Sequence, residues 1–351
     1  MTQEDTAAAT IGRLESRIGR VHRDALMARQ RDRLGEVDAS LARMPQQLVQ
    51  LRARGYVYKA YLEDQASELA ERWPPVRAAA ARDLEDQIAG LKREMDRIDD
   101  TMRRLQPLKV RPLSTAQPSI QRLESDLSGV ERRIRAAQQA VQGLYGAMAN
   151  GVQSLASEIQ GCEGLLDALA GATFTLESGE APVAVTEARL IDGNNQTDGM
   201  LFLSDQRLLF ERYERVARRR ILFVTTSSEI VKALHWEVSL ANVERVEATK
   251  VRRALASRRE QLAVITQGRA SAPRAEFELG SDSDAWRELV LRCQSGDIAS
   301  ERAGGAPVVI EYLVPARCSS CAGALRQAGR IRGASSIRCE YCGAAIPLAQ
   351  A

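Results

Sequence analysis

Cys318-Ser319-Ser320-Cys321 and Cys339-Glu340-Tyr341-Cys342 place four thiols in two Cys-x-x-Cys pairs, 17 residues apart. Each pair can turn tightly enough to aim both sulfurs at one ion. The stretch between is long enough to fold back and bring the pairs together. Zn²⁺ takes four thiolates in a closed tetrahedron, which leaves no position for a substrate water. The spacing therefore predicts a structural Zn²⁺ held by Cys318, Cys321, Cys339 and Cys342. Iron would use the same four sulfurs, so spacing alone leaves zinc and iron both open. Cys162 and Cys293 have no such partners; each lies in an apolar helical stretch and reads as a buried structural thiol.

Catalytic patterns are scarce elsewhere. The chain has no phosphate-binding Gly-x-x-x-x-Gly-Lys loop and no His-Glu-x-x-His helix, and its two histidines, His22 and His235, are far apart. The expectation is a protein without enzymatic activity. A net charge of +3 over 351 residues makes no general case for nucleic acid. Met1 to Ala9 lacks the basic start and apolar core of a secretory signal, and no run of 18 apolar residues occurs. The expected compartment is the cytoplasm, with peripheral attachment at a membrane as an extension. Its reducing conditions would keep thiols free for metal.

The elements that must position this site begin with helix. Leu84, Ile88, Leu91, Met95, Ile98, Met102 and Leu105 alternate steps of four and three, as do Ile120, Leu123, Leu127, Val130, Ile134, Ala137, Val141 and Leu144. Leu34, Val37, Leu41, Met44, Leu48 and Leu51 keep the same rhythm. Such heptad seams need a facing partner. Residues 10–170 are thus expected to be an antiparallel helical coiled coil, with a homodimer through the helices as the other way to cover the seams. Pro45 should kink or restart its helix, Trp73-Pro74-Pro75 should mark another break, and Leu108 to Pro118, with two prolines, should be a connection. Tyr56, Tyr58 and Tyr61 read as packing residues before a partner-binding patch.

From Gly171 the periodicity changes. Apolar runs at Phe174–Leu176, Val183–Ile191, Met200–Leu203 and Arg207–Phe210 read as strands, with turns at Asp192-Gly193-Asn194-Asn195 and Ser204-Asp205-Gln206. More strands are expected at Ile221–Thr225, Glu229–Trp236, Val243–Thr249, Gln261–Thr266 and Ala275–Leu279. Ser281-Asp282-Ser283-Asp284 supplies N-cap oxygens to a closing helix with Trp286, Leu289, Val290 and Cys293. Some seven strands and one helix describe a small, helix-plugged β-barrel. On Gly179-Glu180, Gly199 to Phe210, Trp236 to Val243 and the Trp286 helix, residues 174–293 resemble the GRAM branch of the pleckstrin-homology-like superfamily. The resemblance covers about a third of the chain. It implies a non-catalytic domain that binds acidic lipids or proteins. The last 35 residues or so resemble a zinc ribbon, with Gly343 after the second pair and Ala322 where the first knuckle often has glycine. The expected fold class is multidomain α+β: helical coiled coil at 10–170, GRAM/PH-like barrel with C-terminal helix at 171–297, linker and lead-in strand at 298–315, and zinc ribbon at 316–351.

Two basic clusters fall in the middle domain, flanking strands and expected in loops: Arg212, Arg215, Arg218, Arg219 and Arg220, then Lys250, Arg252, Arg253, Arg258 and Arg259. Arginine forks match phosphate and carboxylate acceptors, and such clusters attract anionic membranes. A solvated surface in an arginine-rich chain is the competing reading. The sequence thus describes a cytoplasmic adaptor that docks to a membrane surface or partner protein through the PH-like domain and the ribbon. The alternative is a zinc-ribbon factor associated with nucleic acid, using the five arginines after Ala316.

Overall fold

A computed structural model describes residues 7–221, 224–251, 259–267, 273–304, 311–325, 329–332, 336–339 and 341–350. The helical part holds α1 (Ala7–Ala25), α2 (Ala28–Ala53), α3 (Tyr61–Leu105) and α4 (Leu113–Ala170). The prolines do not break it: Pro45 lies inside α2, Pro74 and Pro75 inside α3, and Pro118 in the second turn of α4. Each interior proline forfeits a backbone hydrogen bond and costs about 3 kcal/mol. The apolar stripe outweighs that locally. Trp73 is buried beside Pro74 and donates its indole N–H to Asp38 at 2.6 Å. The expected connection shrinks to a 3₁₀ turn at Gln106–Val110 and two further residues.

The chain divides into two compact units, Met1–Gln47 with Glu63–Glu158, and Leu48–Leu62 with Ile159–Ala351. In the first, contacts that climb α1 and α2 descend α3: Glu15 meets Lys109, His22 meets Asp99, Arg31 meets Glu85, and Asp38 meets Arg77. Between α3 and α4, Glu94 pairs with Arg133, while Gly151 lies against Leu69. The register is antiparallel in both cases, so α1–α2, α3 and α4 run up, down and up. The seam residues Leu84, Leu91, Met95, Ile98 and Met102 are buried within the single chain, as are Ile120, Leu123, Leu127, Val130, Ile134 and Val141. No second copy is needed to cover them. Two seam positions differ: Ile88 is only half-buried, and Leu144 is 48% exposed while Tyr145 turns inward instead. A straight helix at 3.6 residues per turn drifts off a strict seven-residue repeat, and here the inward stripe steps from Val141 to Tyr145 and Met148.

The second unit is built on a seven-stranded antiparallel sheet: β1 (Pro182–Asp192), β2 (Asn195–Ser204), β3 (Arg207–Ile221), β4 (Val224–Ser239), β5 (Val243–Val251), β6 (Arg259–Thr266) and β7 (Arg274–Leu279). Spatial order is β4-β3-β2-β1-β7-β6-β5. The expected closed barrel is therefore wrong: the sheet is open, with β4 and β5 as its edges. The chain passes from β4 to β5 through a 3₁₀ turn at Leu240–Asn242. There the carbonyls of Leu240 and Val243 accept from the Gln294 side chain at 3.0 and 2.8 Å. Gln294 belongs to α5 (Ser283–Ser295), which packs on β5 and β6 with Trp286, Val290 and Cys293 buried. The helix thus lies over β5, β6 and the turn that joins β4 to β5. Asp282 caps α5, accepting from the Ala285 amide at 2.9 Å. The buried Phe277 meets Phe210 at a tilt and the half-buried Trp236 edge-on, with centroids 5.4 and 5.3 Å away.

Close approach explains one glycine. A Cβ on Gly199 would sit 2.3 Å from the Glu211 carbonyl oxygen and 2.6 Å from the Phe210 ring. The 48–62 segment joins this unit because Tyr56 and Tyr58 are buried, as the packing reading required. Ala303 donates to the Val57 carbonyl and Ala60 to the Glu301 carbonyl. Five short strands finish the chain: β8 (Glu311–Val314), β9 (Gly329–Arg332), β10 (Ser336–Arg338), β11 (Ala345–Pro347) and β12 (Ala349–Gln350). They pair as β12-β8-β9 and β10-β11. Among the described residues, no helix is long and apolar enough to cross a membrane.

Candidate metal centre

The four cysteines come together. Their sulfurs all lie within 4.8 Å of one another, and none is in a disulfide. Cys318 Sγ is 3.8 Å from Cys342 Sγ, and Cys321 Sγ is 3.6 Å from Cys339 Sγ. A zinc–sulfur bond of about 2.3 Å implies a tetrahedron edge of about 3.8 Å. Both measured edges fit that figure, and both link one pair to the other. The donor set suits one soft or borderline ion, and the four sulfurs leave it no further position.

The two pairs are near copies. The Cys318 amide donates to the Gly323 carbonyl and the Cys339 amide to the Ala344 carbonyl, each at 2.9 Å. Ala322 donates to the Cys318 carbonyl and Gly343 to the Cys339 carbonyl, again at 2.9 Å. Ser320 N–H points at Cys318 Sγ (3.3 Å) and Tyr341 N–H at Cys339 Sγ (3.4 Å). To close these turns, Ala322 and Gly343 both adopt positive φ, 56° and 72°. Glycine takes that conformation freely; alanine pays for its Cβ. In each pair the first cysteine is buried and the second exposed. Beneath them lie Val314, Leu325, Ile337, Ile346 and Leu348. The amide N–H of Cys321, then that of Ser320, pulls the Cys318 thiol down to about 6. Cys321 stands at about 12: the Gly323 N–H lowers it, and the sulfurs of Cys342 and Cys339 raise it by more. A metal ion would hold all four as thiolates.

The remaining cysteines and the basic clusters fall elsewhere. Cys162 and Cys293 are buried, and burial pushes the Cys293 thiol up to about 12. The first cluster is not in a loop: Arg212, Arg215, Arg218, Arg219 and Arg220 all lie on β3, whose backbone pairs with β4 from Arg207–Ser239 out to Ile221–Val224. Arg212 is exposed. In the second, Lys250 lies next to the end of β5 and bonds Asp282 at 2.8 Å and Asp284 at 3.1 Å, while Arg259 opens β6 and bonds Glu278. Arg252, Arg253 and Arg258 lie outside the described residues.

Two buried networks were not anticipated, although their residues stand in the motifs that suggested the GRAM-like domain. Glu180, fully buried, accepts from Ser204 Oγ and from Arg207 at 2.7 Å. Asp205 accepts from the Ala181 amide at 2.9 Å and from Tyr58 Oη at 2.7 Å. Burial raises the Asp205 carboxyl above the usual aspartate range. The polar quartet Ser204 to Arg207 between two apolar runs was the available signal, and it reads as a turn until its partners are known.

No protein-family model matches the chain, and no curated protein matches it. Among solved structures it is similar to the C-terminal domain of an unknown protein from Leishmania infantum, at 12% identity over 33% of this chain and 86% of that one, with a TM-score of 0.23. It is also similar to the hSac2 domain from human phosphoinositide phosphatase Sac2, at 12% identity over 40% and 81%, with a TM-score of 0.23. A third is the PDZ-RhoGEF DH/PH domains in complex with activated RhoA, at 13% identity over 84% and 95%, with a TM-score of 0.24.

Proposed function

We propose that this chain is a non-enzymatic cytoplasmic adaptor whose β-domain, of GRAM/PH-like type with an opened sheet, docks to a membrane surface or partner protein. Its C-terminal end is a zinc ribbon that serves as a structural staple and a second docking face. The observation that carries this reading is the closed set of four sulfurs at tetrahedral spacing. A metal held that way has no position for substrate and acts by fixing the fold. Seven antiparallel strands followed by a capping helix support the GRAM/PH-like assignment. Zinc binding contributes about 10–16 kcal/mol to the folding of such short segments. The few strands here, of two to four residues each, need a contribution of that kind.

The test is the state of the full-length protein in a native extract. Recovery in the membrane pellet, or in an assembly larger than the chain, supports the adaptor reading. Quantitative recovery as the free chain contradicts it.

A further inference from the structure

The two cysteine turns share their backbone bonds but part at two equivalent pairs of positions. Ser320 and Tyr341 correspond: each donates its backbone N–H to the sulfur of the first cysteine in its own pair. Gly323 and Ala344 correspond: the carbonyl of each accepts from the amide of that first cysteine. One turn therefore carries serine and glycine where the other carries tyrosine and alanine.

The tyrosine of one turn meets the glycine of the other. A Cβ on Gly323 would sit 2.7 Å from Tyr341 Cδ2, 3.2 Å from Tyr341 Cγ and 3.3 Å from Cys321 Sγ. Gly323 is not among the glycines with positive φ, so its backbone does not call for glycine. Space does: the ring lies on the bare Cα, beside the Cys321 sulfur. Tyr341 is 62% exposed, so the ring sits at the surface of the site as a cover. Cys321 and Cys342 are the two exposed cysteines of the four. By the correspondence of the turns, the place beside Cys342 belongs to Ser320, whose side chain is a single hydroxymethyl group.

We propose that these two exposed sulfurs are unequal: the Tyr341 ring shelters Cys321, and an incoming thiol or chelator opens the site by displacing Cys342. This rests on the four sulfurs holding one ion, as proposed above. In the exchange the incoming donor takes the bond that the Cys342 sulfur gives up, and the released thiolate takes a proton from water; nothing is oxidised or reduced. Opening at Cys321 instead would forfeit the contact between its sulfur and the ring. A sulfur–aromatic contact supports a preference of roughly two- to tenfold for Cys342.

The experiment treats the full-length, metal-loaded protein with excess EDTA and applies short pulses of iodoacetamide as the metal leaves. Each freed thiolate forms an S–C bond and iodide departs, so mass spectrometry of the peptides gives the order of release. In the earliest pulses Cys342 should carry roughly two- to tenfold more label than Cys321. Tyr341→Phe keeps the ring and should keep the preference. Tyr341→Ala should label both sulfurs about equally, and Gly323→Ala should do the same with the ring still present, because its Cβ pushes the ring away. Wild-type protein that labels Cys321 first, or both equally, overturns the proposal, as does an undiminished preference in Tyr341→Ala. If the alanine variants purify without metal, the order in the wild type decides. Metal content is measured first, which separates the two failures: wild-type protein that carries no metal overturns the metal reading itself, whereas loaded protein with the wrong order overturns the shelter alone.

Discussion

The near-twofold symmetry of the two cysteine turns permits a matched pair of substitutions. Ala322 and Gly343 occupy equivalent positions, each donating to the carbonyl of the first cysteine in its pair, at φ 56° and 72°. A non-glycine residue there costs about 1–2 kcal/mol. Glycine returns about 0.4–1 kcal/mol of that through its freer unfolded chain. Ala322→Gly should therefore stabilise the folded module by about 0.5–1 kcal/mol. Gly343→Ala should destabilise it by about the same amount, since a Cβ at Gly343 meets no atom within 4 Å and only the backbone is strained. In the proposed zinc module, folding of this end is coupled to metal binding, so both effects should appear in metal affinity. Competition against a chromophoric chelator should show about two- to fivefold tighter binding for Ala322→Gly and about two- to fivefold weaker binding for Gly343→Ala. Weaker binding by Ala322→Gly, or no effect of Gly343→Ala, would refute the claim that both turns need a left-handed residue.

Three further outcomes test the buried chemistry. Arg207→Met leaves the Glu180 carboxylate buried without its cation and should cost about 3 kcal/mol, read as a lower midpoint in urea; an unchanged midpoint would contradict the burial of that pair. The Asp205 carboxyl is raised in the folded state, so the folded state holds its proton to higher pH than the unfolded one. That contribution to stability is present at low pH and is lost as pH rises from the ordinary aspartate range through the folded value. Asp205→Asn should flatten that part of the stability–pH curve, and a curve that keeps its slope would show that other groups set it. Folded, metal-loaded protein should resist thiol alkylation at neutral pH, because Cys162 and Cys293 are buried and Cys293 titrates near 12. Chelation should expose the four C-terminal thiols while these two stay protected, as mass spectrometry would show.

The cysteine cluster was legible because its information is local: two short pairs and the distance between them decide which thiols can meet. The helices were legible as stripes, but their continuity was not. Pro45, Pro74 and Pro75 are local breakers, and they are overruled by contacts such as Trp73 with Asp38, more than thirty residues apart in sequence. The strands and turns around Gly193 and Asp205 followed from alternation and turn residues. Closure of the sheet did not, because whether two edge strands meet is a long-range matter that alternation does not carry; β4 and β5 are joined by a turn whose carbonyls at Leu240 and Val243 bond Gln294 of α5. The arginines of β3 read as a loop because charged runs suggest solvent, whereas their backbone continues as a strand paired with β4 out to Ile221–Val224. Asp205 looked like a turn residue and Glu180 only like a family match before the first strand, since their partners Tyr58 and Arg207 are fixed only by the assembled unit.

The central claim is a structural ion held by sulfur alone, and X-ray absorption on the purified full-length protein tests it most directly. The account predicts one zinc per chain with four sulfur neighbours at about 2.3 Å and no nitrogen or oxygen ligand. A coordinated oxygen or nitrogen, fewer than four sulfurs, or a chain that purifies folded and metal-free would contradict it.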